Sequence, residues 1–180
     1  KIAAIVACRQ ERNYGLDVLR QVLTVSFLLD ELPVVFDSPD CVAVIGDGFA
    51  TISSLILEST AKPRVILVNL TKTLLVDLLY LSKTVPDVVP VLVSDKEGLS
   101  SVLSDESMRV IAIQADNYKL LEHAPVQLAI NIDSMQEMNP PVIAGYFEVL
   151  RKIAGRSEVF LYCCNREEKI LRDGTQVNFA

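Results

Sequence analysis

Apolar residues recur at helical spacing between positions 14 and 32, at Leu16, Leu19, Val22, Leu23 and Phe27. Pro33 stops the pattern, so it predicts one helix that packs on, or caps, the remainder of the chain. From Cys41 the pattern changes to short apolar runs alternating with helical ones. Residues 42–45 read as a buried strand, and 49–60 as a helix with Ile52, Leu55 and Ile56 on its inner face. Lys62-Pro63 ends that helix, and 64–69 is a second strand rich in β-branched residues. Residues 71–84 form a helix that is apolar nearly all round, which predicts burial on more than one side.

The run 89–93 contains Pro90, which points to an edge strand or an insertion. Ser94-x-x-Glu97 reads as a capping box that opens a short helix through about Leu103. Residues 108–114 and 127–132 are clear strands. Asn139 and Pro140 open another helix, with Gly155 expected at its left-handed end. Residues 158–164 make the last strong strand. Strands alternating with helices predict an α/β fold, a mostly parallel sheet with helices on both faces. The expected organisation is an N-terminal helical segment, 1–36, then a Rossmann-like domain, 37–180. In such sheets ligands bind at the carboxyl ends of the strands, where the strand order reverses.

Charge and composition narrow the function classes. The 180 residues carry a net charge of −6 with no basic run, which argues against binding a phosphate backbone. The balance is compatible with a cationic small molecule. Mean hydropathy is +0.35, yet no apolar stretch is long enough and free enough of charge to span a membrane. Cys8, Cys41, Cys163 and Cys164 form no CxxC pair and read as buried free thiols of a cytoplasmic protein. No cluster has metal-ligand spacing, so no metal is expected. The sequence begins at Lys1 without Met and stops at Ala180 in mid-pattern, so a fragment or processed product is expected. Oligomeric state is not readable from the sequence.

The candidate chemistry starts at Val44-Ile45-Gly46-Asp47-Gly48-Phe49-Ala50, where a strand ends in two glycines and a helix begins. An ordinary strand-to-helix turn would look the same. Dinucleotide enzymes use G-x-G-x-x-G/A, and the third position of that pattern is Thr51 here. The Gly46, Gly48, Ala50 spacing instead resembles motif I of the class I S-adenosylmethionine-dependent methyltransferases. That family places an acid where Val44 stands, and another where Asn69 ends the second strand to hold the ribose. Asn can both donate and accept hydrogen bonds.

Two later runs are more distinctive: N-x-x-S-M-Q-E-M at 131–138 and Y-C-C-N-R-E at 162–167, with a further matching run at 169–174. With the glycine loop they resemble the sugar O-methyltransferase family found with bacterial polysaccharide genes. The resemblance implies a class I methyltransferase fold and S-adenosylmethionine as cofactor, with a saccharide or other small hydroxyl-bearing acceptor. It implies cofactor contacts at Gly46, Asp47, Gly48, Phe49, Asn69, Leu70, Asp116 and Asn131. It also implies that 108–114 is the third strand and 89–103 an insertion; the alternative makes 89–93 a true strand.

Methyl transfer to a sugar hydroxyl needs alignment and usually a general base or a metal. Glu137 and Asp133, just after a strand's carboxyl end, are the candidate bases, though either could simply stabilise the helix beyond them. His123 precedes a strand and is expected at the wrong edge. Arg166 could hold an anionic group or form an exposed ion pair. Two other classes stay open: a non-catalytic methyltransferase-like domain and a nicotinamide-dependent oxidoreductase.

Overall fold

A computed structural model describes residues 1–170 and 173–178. Leu171 and Arg172, part of the 169–174 run, lie outside the described residues. The chain opens with three helices, α1 (Ile2–Arg9), α2 (Leu16–Glu31) and α3 (Pro33–Phe36). Strands and helices then alternate: β1 (Cys41–Ile45), α4 (Thr51–Ser59), β2 (Arg64–Asn69), α5 (Thr71–Thr84), β3 (Val91–Val93), α6 (Lys96–Ser104) and β4 (Val110–Gln114). A 3-10 stretch, Ala115–His123, leads into β5 (Val126–Ile132), and one 3-10 turn, Met135–Glu137, precedes α7 (Pro140–Ala154). The chain continues through β6 (Phe160–Cys164) into a hairpin of β7 (Glu168–Ile170) and β8 (Gln176–Asn178).

The main sheet has six parallel strands in the order β3-β4-β2-β1-β5-β6. β1 and β2 are buried along their whole length, so both faces of the sheet are covered. Alternate side chains feed two cores. Val42 and Val44 of β1 pack with Val6, Val25, Leu28, Ile52, Ile56 and Leu74, under α1, α2, α4 and α5. Ala43 and Ile45 pack with Leu99, Leu121, Tyr146, Val149 and Ile153, under α6 and α7. The N-terminal helices thus share a core with the sheet. The structure is α/β and compatible with a Rossmann-like fold.

The run at 89–93 contributes an edge strand of the sheet, Val91–Val93. β3 pairs only with β4, and Pro90, which has no N–H to donate, stands immediately before it.

Several local expectations are corrected. In α2 the buried residues are Val18, Thr24, Val25 and Leu28, whereas Leu16, Leu19, Leu23 and Phe27 are exposed. The helix packs through a face rotated from the one that carries most of its leucines. The all-apolar α5 is buried only along Leu74, Asp77, Leu81 and Thr84, and Leu75 is 64% exposed. The helix after β1 starts at Thr51, not at 49, because Ala50 is left-handed at φ 50°. The cap of α6 is Asp95, whose carboxylate accepts from the Gly98 N–H at 2.7 Å, rather than Ser94. Gly155 stays right-handed at the end of α7, and Asn139 makes no side-chain cap bond. Of the four free cysteines only Cys41 is fully buried, and that burial pushes its thiol up to about 12; Cys8 and Cys163 are exposed. Among the described residues no helix is long and apolar enough to cross a membrane, and no His/Cys/Asp/Glu group could hold a metal.

Candidate functional site

From β1 the chain passes to β2 on one side, and it returns after β4 to lay β5 on the other. That reversal opens a cleft of about 520 Å3 at the strands' carboxyl ends. Its size is that of an ordinary small-molecule site.

The loop after β1 is built from left-handed residues: Gly46 at φ 77°, Gly48 at 82° and Ala50 at 50°. The two glycines have different reasons to be glycine. A Cβ on Gly46 would stand 2.2 Å from Ser134 Oγ, so its open side is filled by the protein itself. A Cβ on Gly48 would meet nothing within 4 Å. Gly48 is therefore the point where a ligand can approach the backbone closely.

Ala50 cannot cap α4, and Asp47 does so instead. Its carboxylate accepts from the Ile52 N–H at 3.1 Å, the Ser53 N–H at 2.9 Å and the Ser53 hydroxyl at 2.7 Å. The positive end of α4 is thereby neutralised from within. Asp77, buried on α5, accepts from the Ala50 N–H at 3.1 Å and from Asn69 Nδ2 at 2.8 Å. Burial raises the proton affinity of both carboxyls, and the Asp47 charge helps push Asp77 up to about 7. Sequence reasoning missed Asp77. Its one signal was a carboxylate in the middle of an otherwise apolar helix.

Asn69 lines the cleft but is only 9% exposed, and its carbonyl oxygen accepts from the Leu70 N–H at 2.9 Å. Both ends of its amide are thus engaged by the protein, whereas Leu70 is exposed at the cleft wall. Val44 is in the core, where an acid would be buried without water.

The loop after β5 faces the glycine loop. Asn131 is fully buried and does not line the cleft. Its Nδ2 donates to the Ile45 carbonyl at 2.8 Å, and its Oδ1 accepts from Asn165 Nδ2 at 2.8 Å and the Met135 N–H at 3.2 Å. The Ser134 hydroxyl donates to the same Ile45 carbonyl at 2.9 Å. The Gln136 N–H donates to Asn165 Oδ1 at 3.1 Å, and Gln136 Oε1 accepts from the Arg166 N–H at 2.9 Å. The polar residues of the two late runs therefore weld together the ends of β1, β5 and β6. Asp133, left-handed at φ 60°, and Glu137 line the cleft beside them.

The N-terminal segment supplies the facing wall, which sequence reasoning missed because its motifs lay elsewhere. Arg12, Asp17, Arg20 and Gln21 all line the cleft. Arg20 pairs with Asp133 across it, and with Asp17 at 3.3 Å. Buried Gln10 donates to the Phe49 carbonyl at 2.9 Å and accepts from the Thr51 hydroxyl at 3.2 Å. The Arg12 guanidinium lies 3.9 Å from the Phe49 ring centre, and the Tyr80 ring meets Phe49 edge-on.

The structure thus brings Gly46, Asp47, Gly48, Phe49, Asn69, Leu70, Asp133 and Glu137 to one cleft. Asp116 is not among them; its neighbour Ala115 lines the cleft, while Asp116 joins His123 in a separate depression with Lys96, Lys119 and Lys152. Arg166 is exposed outside the cleft. Tyr146, part of the expected apolar stripe of α7, also lines the cleft, and burial raises its phenol far above the usual range.

No protein-family model matches the chain, and no curated protein does so either.

Proposed function

We propose that the chain is an S-adenosylmethionine-dependent O-methyltransferase whose acceptor is a sugar or other small hydroxyl compound. The observation that carries this reading is the Asp47 carboxylate on the first N–H groups of α4. In dinucleotide enzymes that helix end receives the pyrophosphate. A pyrophosphate here would face a carboxylate, so a nicotinamide enzyme is disfavoured. A cofactor that carries a cation and no phosphate suits the same loop. The cleft also fits such a group in size, in the open backbone at Gly48 and in its excess of carboxylates: Asp17, Asp47, Asp133 and Glu137 against Arg12 and Arg20.

Gly48, Phe49 and Leu70 would hold the cofactor, which supplies an electrophilic methyl group when bound. This chain's own task is to orient the acceptor hydroxyl and remove its proton. Glu137, at the cleft on the 3-10 turn after β5, is the general base, and Asp133 is paired with Arg20. Asp133 then serves as a positioning group.

Calorimetry with S-adenosylhomocysteine tests the cofactor. Binding at micromolar concentration is expected, and no heat at millimolar concentration overturns the reading. In the active protein Glu137→Gln is expected to lower kcat about 100-fold with KM little changed. A non-catalytic domain of the same fold is the second reading, favoured by the Asn69 amide being engaged on both sides. Measured turnover with any acceptor removes it.

A further inference from the structure

α2 has two apolar faces, and the protomer buries one of them. Val18, Val25 and Leu28 are buried, whereas Leu16, Leu19, Leu23 and Phe27 are exposed, Leu16 by 84%. Steps of three and four residues place these four on one stripe along the helix. A contiguous exposed stripe of this kind marks a contact surface. The charges at its ends point to the partner. Asp30 and Glu31 stand in the last turn of α2, which holds no basic residue, so they oppose the helix dipole. At the other end Gly15 opens the helix without a side-chain cap, and the acid of the first turn, Asp17, pairs with Arg20. The same helix thus ends in unfavourable carboxylates and begins with N–H groups that a carboxylate could take.

We infer that this stripe is the interface of a homodimer, in which α2 packs antiparallel on α2 of a second copy of this chain, about a two-fold axis at Leu23. Leu23 lies seven residues from Leu16 and seven from Asp30, and seven residues are nearly two full turns. With Leu23 of each copy on the axis, Leu19 faces Phe27 and Leu16 faces Asp30, twice over. Each Asp30 then lies beside the uncapped N-terminus of the other α2, where its charge is favourable. A parallel pair would bring like ends together instead. The antiparallel pair uses the same patch on both copies, as an isologous interface must. Four apolar side chains per copy make a seam much smaller than that of a permanent dimer, so a Kd on the order of 100 μM is expected. Unfolding titrated well below that concentration reads the protomer alone. The dimer is independent of the methyltransferase reading.

Sedimentation velocity of the full chain, from about 10 μM to about 1 mM, tests it. A shift from monomer to dimer and no further is expected. A monomer throughout overturns the inference and leaves the stripe to a different protein; association that continues past the dimer overturns it too. Leu23→Glu puts two like charges on the axis and is expected to weaken the dimer at least about tenfold. Asp30→Lys separates a built pair from a merely adhesive surface. It suits the protomer's own helix, so the unfolding midpoint should hold or rise, yet it sets a cation at the other copy's N-terminus and should weaken the dimer about threefold. Undiminished association in either variant overturns the inference. Under oxidation Leu23→Cys is expected to give a disulfide that joins position 23 of the two copies. Leu16→Cys should give none at position 16, because the antiparallel pair holds those sites about 21 Å apart. Linkage at 16 and not at 23 overturns the pairing. Peptide mapping identifies the joined positions, so the exposed Cys8 and Cys163 do not confuse the result. If Leu23→Glu does not fold, the linkage pattern decides.

Discussion

The two walls of the cleft differ in what their polar groups do. On the strand-end wall Asp47, Asp77, Asn69, Asn131, Ser134, Gln136 and Asn165 bond to one another or to nearby backbone. On the α2 wall, Arg20 and Gln21 retain a donor and an acceptor without partners. The first wall offers a fixed shape and one open stretch of backbone at Gly48. The second carries the cations, Arg12 and Arg20, beside Asp17. A polar group engaged by its own fold rigidifies a site, and one that is not can select a ligand.

The comparison breaks most easily at Gly46. Gly46→Ala forces a Cβ into Ser134 and strains a left-handed position, and about 3 kcal/mol or more of stability should be lost. Gly48→Ala carries only the backbone strain and should cost about 1–2 kcal/mol. Urea titration of the two variants measures the difference; equal losses would mean that the loops do not interlock.

The next effect is a dependence on pH. Asp77 has its pKa at about 7 in the folded chain against an ordinary 3.8. The folded chain therefore keeps a proton that the unfolded chain releases, and stability falls as pH rises from about 4 to about 7, then levels off. The raised Asp47 adds in the same direction. Asp77→Asn should flatten the fall, as read from unfolding midpoints at pH 5 and 8. A slope as steep as wild type would remove Asp77 as its source.

The smallest effect sharpens the α2 side. Leu23, 61% exposed, points away from the core, and Leu23→Gln should change stability by less than about 0.5 kcal/mol. A larger loss, seen by the same titration, would show that the outer face of α2 is a packing face after all.

Much of the fold was legible because the signals were local. The apolar, β-branched runs at 64–69 and 127–132 could be little else than buried strands, and Pro90 pointed to an edge position for the strand that follows it. α2 was legible as a helix but not in its orientation. Its leucines outnumber its valines, yet Val18, Val25 and Leu28 are the residues that face the sheet, and only tertiary packing decides that. The site was half legible. Glycines at a strand end and acids after β5 can be read from position along the chain. That Asn69 turns inward to Asp77, or that Arg20 reaches Asp133, depends on partners far apart in sequence. The same holds for Asn131: its place in a distinctive run suggested a ligand contact, whereas its burial and its bonds to Ile45, Ser134, Met135 and Asn165 make it a brace.

The fit of Gly46 against Ser134 also bears on how this chain could be re-engineered. The two residues belong to different loops, yet the missing side chain of one is the space occupied by the other. Exchanging the glycine loop for one from another protein would fail unless the Ser134 loop travelled with it. For grafting, shuffling or redesign, the two loops are a single cassette.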